Sequence, residues 1–146
     1  MTAQLNFKKY PEQSKKMLDE VIIYKPEASM YLANYYLEKG DNKNFEKWNL
    51  YGRQHNLIEA EYNLGVYYEQ YRYNQEKAME VYENILKKFE QGKVEHPSIL
   101  MAINNLANIY AKRNKKVEAE RLYKELEEKN DRDGIYNFAF FRRREG

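Results

Sequence analysis

A chain of 146 residues is long enough for one domain of ordinary size, and the absence of cysteine excludes disulfides and thiolate metal sites. Its 25 basic and 23 acidic side chains are mixed along the sequence and leave a net charge of +2. This balance argues against a nucleic-acid partner, which requires a clustered basic footprint. The one basic run, Arg142-Arg143-Arg144, is expected to be a charged helix end.

Apolar residues never form a stretch long enough to cross a bilayer, so we expect no membrane partner. The segment from Met1 to Tyr10 lacks the apolar run of a signal peptide. Together with the absence of cysteine, this predicts a cytoplasmic protein.

Helical spacing of apolar residues runs through almost the whole chain. Apolar side chains recur at steps of three and four, for example at Ala78, Tyr82, Ile85 and Phe89, and alternating strand patterns are absent. Proline, glycine and asparagine divide this pattern, because Pro11 and Pro97 suit a first helical turn and Asn74 is a candidate N-cap. The sequence predicts an all-α fold with helices near 11–23, 27–39, 43–54, 58–71, 75–90, 97–113, 115–129 and 134–144.

One short pattern recurs in three of these helices: leucine, then a small residue, then tyrosine. The leucines are Leu32, Leu64 and Leu106, spaced 32 and 42 residues apart, and 32 further residues lead to Phe138. A spacing of this size is typical of stacked-repeat proteins. We expect the small residues to lie where two helices approach closely, namely Ala33, Gly65 and Ala107 with Ala78 and Ala119 on the partner helices. Close packing is also the expected reason for Gly52, since glycine inside a helix costs about 1 kcal/mol relative to alanine.

These residues resemble tetratricopeptide repeats, and more closely the Sel-like subfamily. The segment 48–65 is similar to the Sel-like run from its tryptophan through A-x-Y-N-L-G, and Leu106, Ala107, Tyr110, Ala119 and Tyr123 follow tetratricopeptide spacing. The resemblance covers residues 27–130 and implies a right-handed α-α superhelix, a solenoid of antiparallel helix pairs. A single domain, 1–146, would then contain repeats 27–57, 58–96 and 97–132 between capping helices in 1–26 and 133–146.

The second unit of this pattern departs from the family. It has one extra residue before Ala78 and a longer connection near 88–96. A tolerated loop insertion is the favoured interpretation of that connection, since added loop length costs little. A bend in the stack or a separate contact loop remains the alternative.

The resemblance implies a concave groove, lined by the first helix of each pair, that holds a peptide or a partner helix. Helical spacing selects a mixture of aromatic, amide and charged residues on this face: Met30, Asn34, Glu38, Tyr62, Val66, Glu69, Gln70, Asn104, Asn108, Lys112, Tyr136, Phe140 and Arg143. The first half of the strip is acidic and its end is basic, so we expect a partner of opposite polarity. Met30, Met101 and Asn105 stand where a clamp for a C-terminal carboxylate would need cations, which argues against that ligand.

Residues for catalysis or metal binding are missing from the sequence. His55 and His96 have no partner ligand at metal-binding spacing, and the serines lack a nucleophile-elbow context. No glycine-rich phosphate loop occurs. We therefore expect no enzymatic activity, no metal and no cofactor.

The leading hypothesis is a non-catalytic adaptor that binds a protein or peptide. One alternative is a bacterial immunity or antitoxin protein that neutralises a cognate toxin, since a composition rich in lysine, asparagine and tyrosine suggests an AT-rich bacterial genome. Another is a self-associating structural protein, for example a homodimer formed through the C-terminal helix. In that helix, one of Phe138, Phe140 and Phe141 should face outward.

Overall fold

Helices account for all of the regular structure in the part of the chain that is described. The computed structural model describes Lys9, residues 11–92 and residues 95–145, and these ranges contain no strand. The predicted all-α class is confirmed. Four predictions lie partly outside the described residues: the signal-peptide expectation for Met1 to Tyr10, the capping segments 1–26 and 133–146, and the connection near 88–96. The helices are α1 (Pro11–Val21), α2 (Ala28–Glu38), α3 (Asn42–Gln54), α4 (Ile58–Gln70), α5 (Gln75–Glu90), α6 (Pro97–Lys112), α7 (Lys116–Glu128) and α8 (Arg132–Glu145).

Each predicted helix end lies within two residues of the observed one, because the local signals act as expected. Pro11 and Pro97 are the first residues of α1 and α6. The side chain of Asn74 accepts a hydrogen bond from the Lys77 amide at 3.1 Å and so caps α5, as predicted. Asp41 caps α3 in the same way, through the Asn44 amide at 3.1 Å.

Short connections with a left-handed residue join most consecutive helices. Asparagine or glycine occupies that position in four of them, with φ values of 73° at Gly40, 62° at Asn56, 62° at Asn114 and 56° at Asn130. Both residue types tolerate positive φ, so they end one helix and redirect the chain into the next. The α4–α5 connection is one residue longer and has Tyr73 at a φ of 50°. The extra residue that the sequence showed before Ala78 therefore lies in this turn.

Two compact units divide the chain, Met1–Leu64 and Gly65–Gly146. In the first unit, α2 packs against α1 and against α3. In the second unit, α6 packs against α5, α7 and α8, and α7 also packs against α8. Consecutive helices that are joined by short turns and pack together form helical hairpins.

Small residues allow close helix packing in both units, as the repeat pattern predicted. In the first, a Cβ built on Gly52 would lie 2.6 Å from the Cβ of Ala60, so a larger residue would force α3 and α4 apart. In the second, a Cβ on Gly65 would overlap the ring of Tyr82. The repeated leucines Leu32, Leu64 and Leu106 are all fully buried.

The structure bears on the expectation that the chain does not cross a membrane. None of the helices in the described residues combines the length and the apolar character that a bilayer crossing requires.

Candidate functional site

The predicted groove residues of the first unit lie at or near the protein surface. Asn34 and Glu38 on α2 are exposed, while Met30 on α2 and Tyr62 on α4 are half-buried. A separate cleft in this unit is lined mainly by the residues after α1 and by α3, including Ile22, Ile23, Trp48, Leu50 and Tyr51. None of the four predicted residues lines that cleft.

In the second unit, α6 and α8 bring several predicted residues together. The two helices are joined by a hydrogen bond from Asn137 Nδ2 to Asn104 Oδ1 at 2.9 Å. Beside this bond, a groove of about 200 Å³ lies between the helices. We call it the α6–α8 groove, and its lining residues are Asn108, Ala111, Lys112, Tyr123, Asn137, Phe140, Phe141 and Arg144.

Three of the predicted residues, Asn108, Lys112 and Phe140, line the α6–α8 groove. Asn104 lies next to the groove through its bond to Asn137. Tyr136 and Arg143 are exposed on α8 but do not line the groove, whereas the next residue, Arg144, does. On α4, Val66 and Glu69 are half-buried and Gln70 is exposed, and none of the three lines the groove.

Packing on one side of α8 turns Phe140 towards solvent. The ring of Phe138 stacks on that of Tyr123 with centroids 5.6 Å apart, and Phe141 lies 5.4 Å from the same ring. Both phenylalanines are buried, whereas Phe140 is 55% exposed. The expectation that one of the three phenylalanines faces outward is confirmed.

Gly134 allows α8 to lie close to α7. A Cβ at Gly134 would lie 2.5 Å from the Cβ of Leu126. The amide of Gly134 also donates to the Asp131 carboxylate at 2.8 Å, which caps the start of α8. These two contacts fix the first turn of α8 against α7. They therefore help to set the position of Phe140, which lies on the same helix.

Two tyrosine hydroxyls in this unit reach residues of the predicted face. The Tyr123 hydroxyl donates to Asn108 Oδ1 at 2.5 Å. The Tyr82 hydroxyl donates to Glu69 Oε1 at 3.0 Å and accepts from Asn105 Nδ2 at 3.3 Å. Burial raises the pKa of Tyr123 to about 12, so its hydroxyl remains a donor further into alkaline pH than an ordinary tyrosine would.

Sequence reasoning placed Tyr82 and Tyr123 only in the buried stripes of α5 and α7. One sequence feature could have indicated the hydrogen bonds of their hydroxyls. Each is a tyrosine four residues after the small residue of its helix, Ala78 or Ala119. A buried tyrosine needs a partner for its hydroxyl, which phenylalanine at the same position would not. The shared position therefore indicates a polar group on the neighbouring helix.

The α6–α8 groove is positively charged. Lys112 and Arg144 line it, and in the described part of the chain no aspartate or glutamate does. Four other cations of this unit have a carboxylate partner: Arg113 with Glu76, Lys116 with Glu145, Arg121 with Glu90 and Lys124 with Glu120. Within the described residues, Lys112 and Arg144 form no such ion pair. Their charges are therefore available to a ligand.

Both histidines make structural contacts. The imidazole of His55 lies 4.4 Å from the ring of Tyr51, and His96 Nδ1 accepts from the Ser98 amide at 3.1 Å at the start of α6. Across the part of the chain that the structure describes, no three histidine, aspartate or glutamate side chains are grouped so that they could hold a metal ion.

Comparison with known proteins gives no family for this chain. No family model matches it, and no curated protein or solved structure matches it significantly.

Proposed function

We propose that this protein is a non-catalytic interaction module of the tetratricopeptide or Sel-like type, which binds a protein or peptide partner on the face of its first-of-pair helices. The packed helical hairpins support this proposal, as do the buried leucines that recur at repeat spacing. In such a module the hairpins are the scaffold and the exposed face of α6 and α8 is the binding surface.

The observation that carries the proposal is the composition of the α6–α8 groove. Helical spacing assigned Asn108, Lys112 and Phe140 to one face, and all three line this groove. Phe140 presents an exposed aromatic ring beside two cations, Lys112 and Arg144, that form no ion pair with any residue the structure describes. Aromatic and arginine side chains are the residue types that most often dominate binding energy at protein interfaces.

A capture experiment with matched variants tests the proposal. The wild-type protein, Phe140→Ala and Val117→Ala are immobilised, exposed to a lysate of the source organism, and their bound proteins are identified by mass spectrometry. Val117 is the control because it is 80% exposed on α7, outside the groove. We expect a partner that binds wild type and Val117→Ala and is lost with Phe140→Ala, and the same pattern must hold with both proteins purified.

Two outcomes would contradict the proposal. Identical sets of proteins on all three surfaces would exclude the groove as the binding site. A dimer of the wild-type protein that Phe140→Ala dissociates in light scattering, with no partner captured, would instead support self-association. That second function is favoured by the exposure of Tyr136 and Phe140, which are 72% and 55% exposed on α8.

A further inference from the structure

We infer that the α6–α8 groove binds the side-chain carboxylates of an acidic peptide segment, with an apolar side chain of that segment packed against Phe140. This inference rests on the proposed function and names the chemistry of the partner.

Charge is the first argument. Lys112 lies in the last turn of α6 and Arg144 in the last turn of α8, and both line the same groove. Since no aspartate or glutamate among the described residues lines it, none of them neutralises the potential of the two cations within the groove. A carboxylate placed between them would form charge-assisted hydrogen bonds, which are stronger than those between neutral groups.

Asn108, which also lines the groove, supplies a further donor. Asn108 accepts the Tyr123 hydroxyl with Oδ1, and this bond fixes the orientation of its amide. The Nδ2 of Asn108 makes no hydrogen bond within the described residues, so its hydrogens are available to an acceptor. Tyr123 thus acts as a positioning residue. Its hydroxyl holds Oδ1 of Asn108, which leaves Nδ2 of the same amide as the donor for a ligand.

Size and composition favour a peptide. About 200 Å³ has room for one or two side chains and is smaller than the usual site for a cofactor. The exposed ring of Phe140 beside the cations suits a segment that alternates acidic and apolar residues. A nucleic acid is less favoured, since its binding requires many phosphate contacts and the described lining of the groove contains two cations, Lys112 and Arg144.

Fluorescence anisotropy with short synthetic peptides tests this inference. The probe is a labelled peptide of glutamate, leucine and glycine with both ends blocked, and its matched control has glutamine in place of glutamate. We expect the acidic peptide to bind about tenfold more tightly than the glutamine peptide. Its affinity should fall as salt is raised, because exposed charges are screened.

Variants of the full chain locate the site. Lys112→Met and Arg144→Met remove one charge each while keeping the apolar stem, and each should weaken the acidic peptide by about threefold to fivefold. Lys87→Met is the control, because Lys87 is an exposed cation on α5 that does not line the groove. Lys87→Met should bind the acidic peptide as tightly as wild type does. Thermal melts by circular dichroism verify that all three variants are folded.

The affinities of the two peptides for Tyr123→Phe test the positioning role of Tyr123. Tyr123→Phe should weaken the acidic peptide and leave the weak binding of the glutamine peptide unchanged, because only the amide donor to the carboxylate loses its orientation. A merely structural role would weaken both peptides equally.

Each contrary result has a distinct meaning. Equal affinity for the glutamate and glutamine peptides, or unchanged affinity in both Lys112→Met and Arg144→Met, overturns the inference. It is also overturned if a neutral peptide with a free C-terminal carboxylate binds as tightly, or if single-stranded RNA displaces the acidic peptide. Loss of a captured partner with Phe140→Ala, together with no binding of acidic peptides, would leave the proposed function intact and refute only this inference.

Discussion

Gly65 is the residue at which one added side chain should disturb helix packing most directly. A Cβ there would overlap the Tyr82 ring, and Tyr82 is fully buried and hydrogen-bonded to Glu69 and Asn105, so the ring has little freedom to move. We expect Gly65→Leu to lower the free energy of unfolding by about 1–3 kcal/mol through overpacking. Urea denaturation followed by circular dichroism measures this change.

Ala139 provides the matched control for Gly65. It follows Phe138 as Gly65 follows Leu64 in the repeat pattern, but it is exposed on α8. Leucine has nearly the helix propensity of alanine, so Ala139→Leu should change stability by less than about 0.5 kcal/mol. Equal urea midpoints for the two leucine variants would show that the small residue at Gly65 is not required for packing.

At the scale of the elements, the α4–α5 turn is less favourable than the other turns. Tyr73 has a φ of 50°, and its side chain is 87% exposed, so no tertiary burial compensates for its backbone conformation. Glycine adopts positive φ without this cost. We expect Tyr73→Gly to raise the free energy of unfolding by about 0.5–1 kcal/mol, measured by urea denaturation.

Asn114 is the control for this prediction, because it has a similar φ of 62° in the α6–α7 turn. Asn114→Ala replaces a residue that tolerates the left-handed region with one that does not, and should lower stability by about 1 kcal/mol. If Tyr73→Gly proves destabilising, the turn is held by interactions of the tyrosine ring and the strain argument is wrong.

Helix positions were predictable because most turns carry their signal in the sequence. Gly40, Asn56, Asn114 and Asn130 all mark turns that the breaker pattern predicts. The start of α8 differs by two residues from the prediction, since the polar run from Asn130 to Asp133 indicated a break and a helix from 134. The helix begins at Arg132, because Asp131 caps it and Gly134 serves the close approach to Leu126.

The candidate site was predictable only as far as the periodicity of single helices allows. Spacing along α6 and α8 gave Asn108, Lys112 and Phe140, which line the groove. Spacing also assigned Tyr136 and Arg143 to this face, and neither lines the groove, because the rotation of α8 is set by the packing of Phe138 and Phe141 on Tyr123. That packing is a tertiary contact, and no helical period in the sequence encodes it.

At the scale of the whole molecule, tyrosine hydroxyls join neighbouring helices within each of the two units. The chain has 15 tyrosines, and several buried ones use both ring and hydroxyl. The Tyr35 hydroxyl donates to Glu12 on α1 at 2.7 Å, and the Tyr110 hydroxyl donates to Glu83 on α5 at 2.7 Å. The bond to Glu12 raises the pKa of Tyr35, and burial followed by the bond to Glu83 raises that of Tyr110.

These raised pKa values predict a loss of stability in alkali. The folded state holds the phenolic proton more tightly than the unfolded chain does, so this stabilisation is fully present below the ordinary pKa of 10.0 and is lost as pH rises through the folded value, about 12 for Tyr123. We therefore expect the urea midpoint to fall between pH 10 and pH 12. Circular dichroism measures the midpoint, and the ultraviolet absorbance of tyrosinate reports ionisation.

Phenylalanine variants separate the contribution of Tyr123 from any alkaline change that all forms share. Tyr123→Phe has no phenol to ionise at this buried position, so it should be less stable than wild type at neutral pH yet lose less stability in alkali. Tyr136→Phe, at a position 72% exposed, should lose as much as wild type. The same alkaline loss in both variants would mean that burial of Tyr123 does not couple its ionisation to folding.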